Sequence, residues 1–251
     1  MDKTGLVSVS FRQNSCLEIA ELCRKNSLSF IEWGGDIHCP AGDAKAAKEA
    51  AKLSETSGLC ISSYGSYYRI GKNKDEGETF RSVLDSAENL GAPIIRIWAG
   101  DKSYSDMTKE EYKECIRDAR LVCSMAEKSG KNVAFECHNW SLTDDYTSSQ
   151  RTLSDIGCGN MKMYWQPNQF KTDEYNLEAI KALSEFITIV HVFNWKGDEK
   201  LPLKSGAKLW KKYVGELEKS PLPHKYLLEF MPNGKIDELP DEAEALFEIL
   251  R

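Results

Sequence analysis

The sequence predicts an α/β protein, a (β/α)8 TIM barrel built as a single domain over residues 1–251. Three observations predict it. Eight short strand-like runs alternate with amphipathic helical patterns, no long linker or low-complexity segment interrupts them, and such a barrel commonly uses about 250 residues. An open doubly wound sheet is the alternative, but it usually carries a glycine-rich first turn. The stretch "VSVSFRQNS" has no glycine.

In chain order the strand runs are "LVSVSF" from Leu6, "SFIEW" from Ser29, "LCISSY" from Leu59 and "PIIRIW" from Pro93, then "NVAFE" from Asn132, "MKMYW" from Met161, "ITIVHVF" from Ile187 and "KYLLEF" from Lys225. Between them, apolar residues recur at helical spacing: Cys16, Ile19, Ala20 and Cys23 after the first strand, then Phe80, Val83, Leu84 and Ala87, and later Trp210, Tyr213, Val214 and Leu217. Ala243, Leu246, Phe247 and Leu250 form a last stripe. Thr108 and Glu111 read as a capping box, and Gly91 and Gly130 stand where helices stop.

Composition narrows the function classes. A net charge of -6 gives no general attraction to phosphate backbones, so nucleic acid is not the expected partner. No apolar run approaches the roughly 20 residues of a membrane span, and the N-terminus lacks a signal-peptide pattern, so a cytoplasmic protein without a membrane partner is expected. The eight cysteines are scattered with no C-x-x-C pair, which suggests reduced thiols, Cys115 and Cys123 on apolar helix faces among them.

A (β/α)8 barrel places its chemistry at the C-terminal ends of the strands. Polar residues closing the strand runs are Glu32, with Asp36 and His38 beyond it; Arg96 with Trp98; Glu136 and His138; Gln166 and Asn168; His191 with Asn194, Trp195 and Lys196; and Glu229. Glu136, His191 and Glu229 share one rim, and two carboxylates with an imidazole can hold a divalent metal with positions left for substrate oxygens. Among the tryptophans at strand ends, Trp98, Trp165 and Trp195 suit the apolar faces of a sugar. His38, after "EWGGD", is expected over the pocket, and His138 to meet a substrate hydroxyl. Arg96 is open to two readings, a buried pair with an acid such as Glu32 or contact with an anionic group. Lys196 is a candidate for an anionic substrate, and Asn168 for substrate contact.

With "FECHN" on the fifth strand, "YWQPN" on the sixth, "IVHVFNW" on the seventh and "LLEFMP" on the eighth, the chain resembles the xylose isomerase-like TIM barrels, the sugar phosphate isomerase/epimerase superfamily. That resemblance implies a mononuclear site for manganese, magnesium, cobalt or zinc. Its ligands, carried over by position, are Glu136, Gln166, His191 and Glu229. Gln166 stands where the family usually has aspartate. A glutamine oxygen can still coordinate a hard cation, although it offers a dipole in place of a charge. Alternatively its amide hydrogens serve a substrate hydroxyl with no metal needed.

The resemblance further implies an isomerase or epimerase of a small sugar or sugar derivative, acting by proton abstraction next to a carbonyl, with Glu136 and Glu229 as the acid/base pair. It also implies a homo-oligomer. The alternatives are a metal-dependent dehydratase of a cyclic polyol or keto acid and a non-catalytic sugar-binding barrel. A repair endonuclease needs a histidine-rich zinc cluster, and this chain has four histidines.

Overall fold

The computed structural model describes residues 3–72 and 80–251. Seven strands, β1 (Thr4–Val7), β2 (Phe30–Gly34), β3 (Cys60–Arg69), β4 (Ile94–Trp98), β5 (Asn132–Glu136), β6 (Met161–Trp165) and β7 (Ile187–Val192), are followed by a short pair, β8 (Asn194–Lys196) and β9 (Glu199–Leu201), and then by β10 (Lys225–Leu228). β1 to β7 and β10 pair side by side in parallel, and β10 returns to β1, closing the barrel. The helices are α1 (Cys16–Lys25), α2 (Ala44–Thr56), α3 (Phe80–Leu90), α4 (Lys109–Lys128), α5 (Tyr146–Ile156), α6 (Asp173–Leu183), α7 (Leu203–Leu217) and α8 (Leu239–Leu250). This is the (β/α)8 architecture expected from the alternation.

Local chemistry sets the helix ends. Thr108 accepts from the Glu111 N–H while the Glu111 carboxylate accepts from the Thr108 N–H, the reciprocal cap expected at α4. Ser15 and Glu18 repeat the device at α1, and the Asp145 carboxylate caps α5. Each cap satisfies amide groups that the first helical turn leaves free.

Strand parity decides what reaches the site. Outward side chains such as Ile31, Trp33, Phe135 and Trp165 join the core between barrel and helices, whereas Val7, Ile94, Ala134, Tyr164, Ile189 and Leu227 pack inside the barrel. Because successive strand residues face opposite sides, Arg96, Glu136, His191 and Glu229 lie two residues beyond inward-facing Ile94, Ala134, Ile189 and Leu227. The inner layer is tight. A Cβ on Gly5 would stand 2.4 Å from the Phe30 carbonyl oxygen, and one on Gly65 would stand 2.7 Å from Glu32 Oε1 and 3.0 Å from Arg96 Nη2.

Three strands differ most from the sequence expectation: β1 spans Thr4–Val7, and Ser8–Phe11 of the expected run form a 3-10 helix instead. β3 continues to Arg69, beyond the expected stop near Tyr64. β7 ends at Val192, and residues 194–196 belong instead to an antiparallel hairpin with β9, turned at Gly197 in the left-handed region (φ 57°) that glycine tolerates.

Candidate active site

At the centre of the C-terminal rim, three strand-end residues converge on Nδ1 of His191. Its Nδ1 lies 3.2 Å from Gln166 Oε1, 3.4 Å from Glu229 Oε2 and 3.5 Å from Glu136 Oε1. Glu136, His191 and Glu229 are all buried. The Gln166 side chain is oriented by its other end, since its Nε2 donates to the Cys137 carbonyl at 3.0 Å and leaves the amide oxygen facing His191.

These spacings fit a cation. A four-coordinate ion with bonds of about 2.1 Å has ligand-to-ligand edges of about 3.4 Å, within the range seen here. The donor set is one imidazole nitrogen and three oxygens, the mixture that zinc and the harder divalent metals accept. Glu136, His191 and Glu229 each offer a ligand atom, all within 4.8 Å of one another.

A buried charge network underlies this ring. Arg96 Nη1 donates to Glu136 Oε2 at 2.7 Å, and Arg96 Nε lies 3.9 Å from Glu32 Oε1. Arg96 therefore pairs with Glu136 more closely than with the expected Glu32. Glu32, fully buried, takes a hydrogen bond from Ser63 at 2.7 Å and faces His191 Nε2 at 3.7 Å. Burial pushes the Glu136 carboxyl up, but Arg96 and then His191 outweigh it and hold the group at about 2. Burial likewise disfavours a charged His191, yet the carboxylates of Glu229, Glu136 and Glu32 keep the imidazolium well above its ordinary range. Without a metal, the protein neutralises its clustered carboxylates with Arg96 and a proton on His191.

The ring opens into a cavity of about 360 Å³ lined by Arg96, Trp98, Glu136, His138, Gln166 and Glu229, among others. The Trp98 ring stacks edge-on with His138 at 4.4 Å, and His138 Nδ1 lies 2.9 Å from the Asn139 carbonyl oxygen. That contact places a hydrogen on Nδ1. Trp195 lines the cavity beside Phe193 and Phe230. Phe230 follows Glu229 in a left-handed backbone conformation (φ 53°), with its N–H donating to Ser10 at 3.0 Å. Such a conformation costs about 1–3 kcal/mol for a residue other than glycine, and here it turns the chain directly beyond a site carboxylate.

The remaining expected contacts divide. Trp165 lines the cavity but is only 1% exposed and packs outward on Trp210 and Tyr213, as its strand parity dictates. Asn168 is also in the wall, with its side chain committed to the loop: Nδ2 donates to Asn139 and Oδ1 accepts from Phe170 N–H. His38 does not reach the cavity. The turn after β2 folds back through the Cys39 N–H to Gly34 carbonyl bond and buries the imidazole against Trp33, with Nε2 3.0 Å from the Asn14 carbonyl. Lys196 is exposed on the β8–β9 hairpin and does not line the cavity, because the barrel strand stops before it.

Arg12 and Tyr67 line the cavity and were not singled out by strand-end reasoning. Arg12 lies past a short 3-10 turn, and Tyr67 on the unexpectedly long part of β3. Alternation extended through "SYGSYYR" is the signal that would have found Tyr67.

Comparison with known proteins follows this geometry. The family model described as xylose isomerase-like TIM barrel matches residues 15–251. A 3-dehydroshikimate dehydratase of Bacillus anthracis is 23% identical over 172 residues, which is 64% of this chain and 60% of that protein's length. Among solved structures, the probable 3-DHS dehydratase AsbF of Bacillus anthracis, described as involved in petrobactin synthesis, superposes with a TM-score of 0.82 at 19% identity, covering 98% of this chain and 99% of the other. D-psicose 3-epimerase of Clostridium cellulolyticum H10, solved with D-tagatose, gives 0.73 at 13% identity, covering 99% of each chain.

Proposed function

The chain belongs to the xylose isomerase-like TIM barrels and is an enzyme, and on that premise we propose that it abstracts a proton next to the carbonyl of a small polyhydroxylated substrate, isomerising or epimerising a sugar or sugar derivative. The observation that carries this reading is the convergence of Gln166, Glu136 and Glu229 oxygens on His191 Nδ1 at 3.2 to 3.5 Å. Glu136, Gln166, His191 and Glu229 would hold a divalent metal. Such an ion supplies charge stabilisation to substrate oxygens where negative charge develops.

The chain's own groups do the rest. Glu229, with no arginine partner among the described residues, removes the proton from the carbon, and an epimerisation calls on Glu136 to enter the reaction protonated and return that proton on the other face. Trp98 and Trp195 pack on the apolar face of the substrate, and His138 Nε2 accepts from a hydroxyl. The rim aromatics narrow the cavity and limit water, which strengthens every electrostatic contact inside it.

Dehydration is the second reading, and a specific observation favours it. Arg96 holds Glu136 at 2.7 Å and keeps it ionised, a poor state for delivering a proton. One carboxylate without an arginine partner suits abstraction followed by loss of a β-hydroxyl as water, the abstracted proton passing from Glu229 to the leaving oxygen, better than a two-base exchange, and the Bacillus anthracis relative is a dehydratase. Incubating the metal-supplemented protein with a panel of sugars and hydroxy-keto compounds in deuterated water tests both. Deuterium entering one carbon without new absorbance supports epimerisation, and a conjugated absorbing product supports dehydration. No exchange and no product across the panel would overturn the proposal.

A further inference from the structure

We propose that the substrate carries a carboxylate and that Arg12 reads it. The inference rests on the reading of the cavity as the substrate site and adds the substrate's charge to it. An anionic substrate needs a cation in the cavity, and the sequence candidate, Lys196, points elsewhere. Among the described residues, Arg12 and Arg96 are the arginine or lysine side chains of the lining. Arg96 is buried and committed to Glu136. Arg12 remains, with its side chain 44% exposed.

Arg12 is also built into place. Its Nε donates to Asp36 Oδ2 at 2.5 Å and its Nη2 to the Tyr67 hydroxyl at 3.0 Å, and that hydroxyl donates to the same Asp36 oxygen at 3.1 Å. Asp36 is itself fixed by the Ile37 N–H at 2.8 Å. Asp36 and Tyr67 occupy one side of the guanidinium fork and leave Nη1 without a partner among the described residues. A planar fork anchored along one edge and free along the other is preorganised for a planar carboxylate, because little side-chain freedom remains to be lost on binding.

The charge count favours a carboxylate over a phosphate. Asp36 already pairs with the Arg12 charge, and Glu136, Glu229, Asp144 and Asp145 also line the cavity, so the lining repels a doubly charged group more strongly than a singly charged one. Substrates of this class are sugar acids and hydroxy-keto acids.

The test titrates the metal-supplemented full chain with matched pairs, glucuronate with glucose and gluconate with sorbitol, together with glucose 6-phosphate, following tryptophan fluorescence and heat. The acid member of a pair should bind at least about 10-fold more tightly than its neutral partner, the ratio expected of a charge-assisted hydrogen bond. Arg12→Gln should abolish that preference, weakening acid binding at least about 10-fold more than neutral-sugar binding. Tyr67→Phe, which removes one tether and keeps the charge, should reduce it partly, and thermal melts confirm that both variants fold.

Equal binding of acid and neutral members, an acid preference that survives Arg12→Gln, tighter binding of the phosphate, or no binding by any probe would overturn the inference. Proton exchange into neutral substrates in deuterated water would still stand in the first three of those cases. The charge assignment can therefore fail while the proton-abstraction reading holds.

Discussion

Metal binding should expel a proton from His191. In the metal-free protein, three carboxylates at 3.4 Å (Glu229), 3.5 Å (Glu136) and 3.7 Å (Glu32) surround the imidazole, and they hold it charged well above its ordinary range despite burial. At pH 7 the Nδ1 that faces Gln166 therefore carries hydrogen, and a cation ligated there must displace it. Glu136, held at about 2, has no proton to give at that pH. Displacement of one proton makes apparent affinity rise about tenfold, or about 1.4 kcal/mol, per pH unit below the imidazolium's folded value. Calorimetric titration with manganese or zinc at pH 7, in two buffers of different ionisation enthalpy, counts the protons directly. The expected count is about one per ion, and affinity should weaken about tenfold between pH 7 and pH 6. No released proton, or an affinity indifferent to pH, would refute the reasoning. The same linkage fixes a sign for stability. A raised folded value stabilises the metal-free protein fully below the imidazole's unfolded value near 6.5, and this contribution disappears as pH rises through the folded value. The metal-free melting temperature should decline across that window, and added metal should remove the decline.

Three substitutions probe the surrounding residues. Gln166→Asp restores a full charge at the sixth-strand corner and should tighten metal binding at least about tenfold if the amide oxygen is a ligand; unchanged affinity by the same calorimetry would assign Gln166 to the loop or to substrate. Glu32→Gln keeps the shape but leaves Arg96 and His191 short of a buried counter-charge, so urea denaturation should show a loss of about 3 kcal/mol, and proton release on metal binding should fall at pH 7. Gly65→Ala puts a methyl group 2.7 Å from Glu32 Oε1 and should cost about 1–3 kcal/mol while weakening metal binding through displaced carboxylates. Wild-type stability in that variant would show the inner layer to be looser than described.

Periodicity made the barrel legible. The strand runs and helical stripes were clear because each element buries one defined face, and the cap at Thr108 is a local hydrogen-bond pattern that needs no tertiary context. Glu136, His191 and Glu229 could be collected because each closes an apolar run, and inward parity brings them together. Parity read further would also have separated Trp98, facing in, from Trp165, facing the helix layer. His38 and Lys196 were misplaced for a different reason. Their positions depend on how a turn folds back after Gly34 and on where β7 gives way to a hairpin, and both are settled by backbone bonds between residues that no strand pattern relates. Arg12 escaped notice because it becomes part of the cavity only through Asp36 and Tyr67, partners 24 and 55 residues away.

Metal analysis of gently purified protein bears most directly on the account, which makes Glu136, Gln166, His191 and Glu229 the ligands of one cation. The expected result is about one divalent ion per chain, lost in His191→Ala and restored to the wild type after chelation by manganese, cobalt, magnesium or zinc together with proton exchange. A wild-type chain that retains no ion, takes none up at any pH and gains no exchange activity from any of the four metals would contradict it.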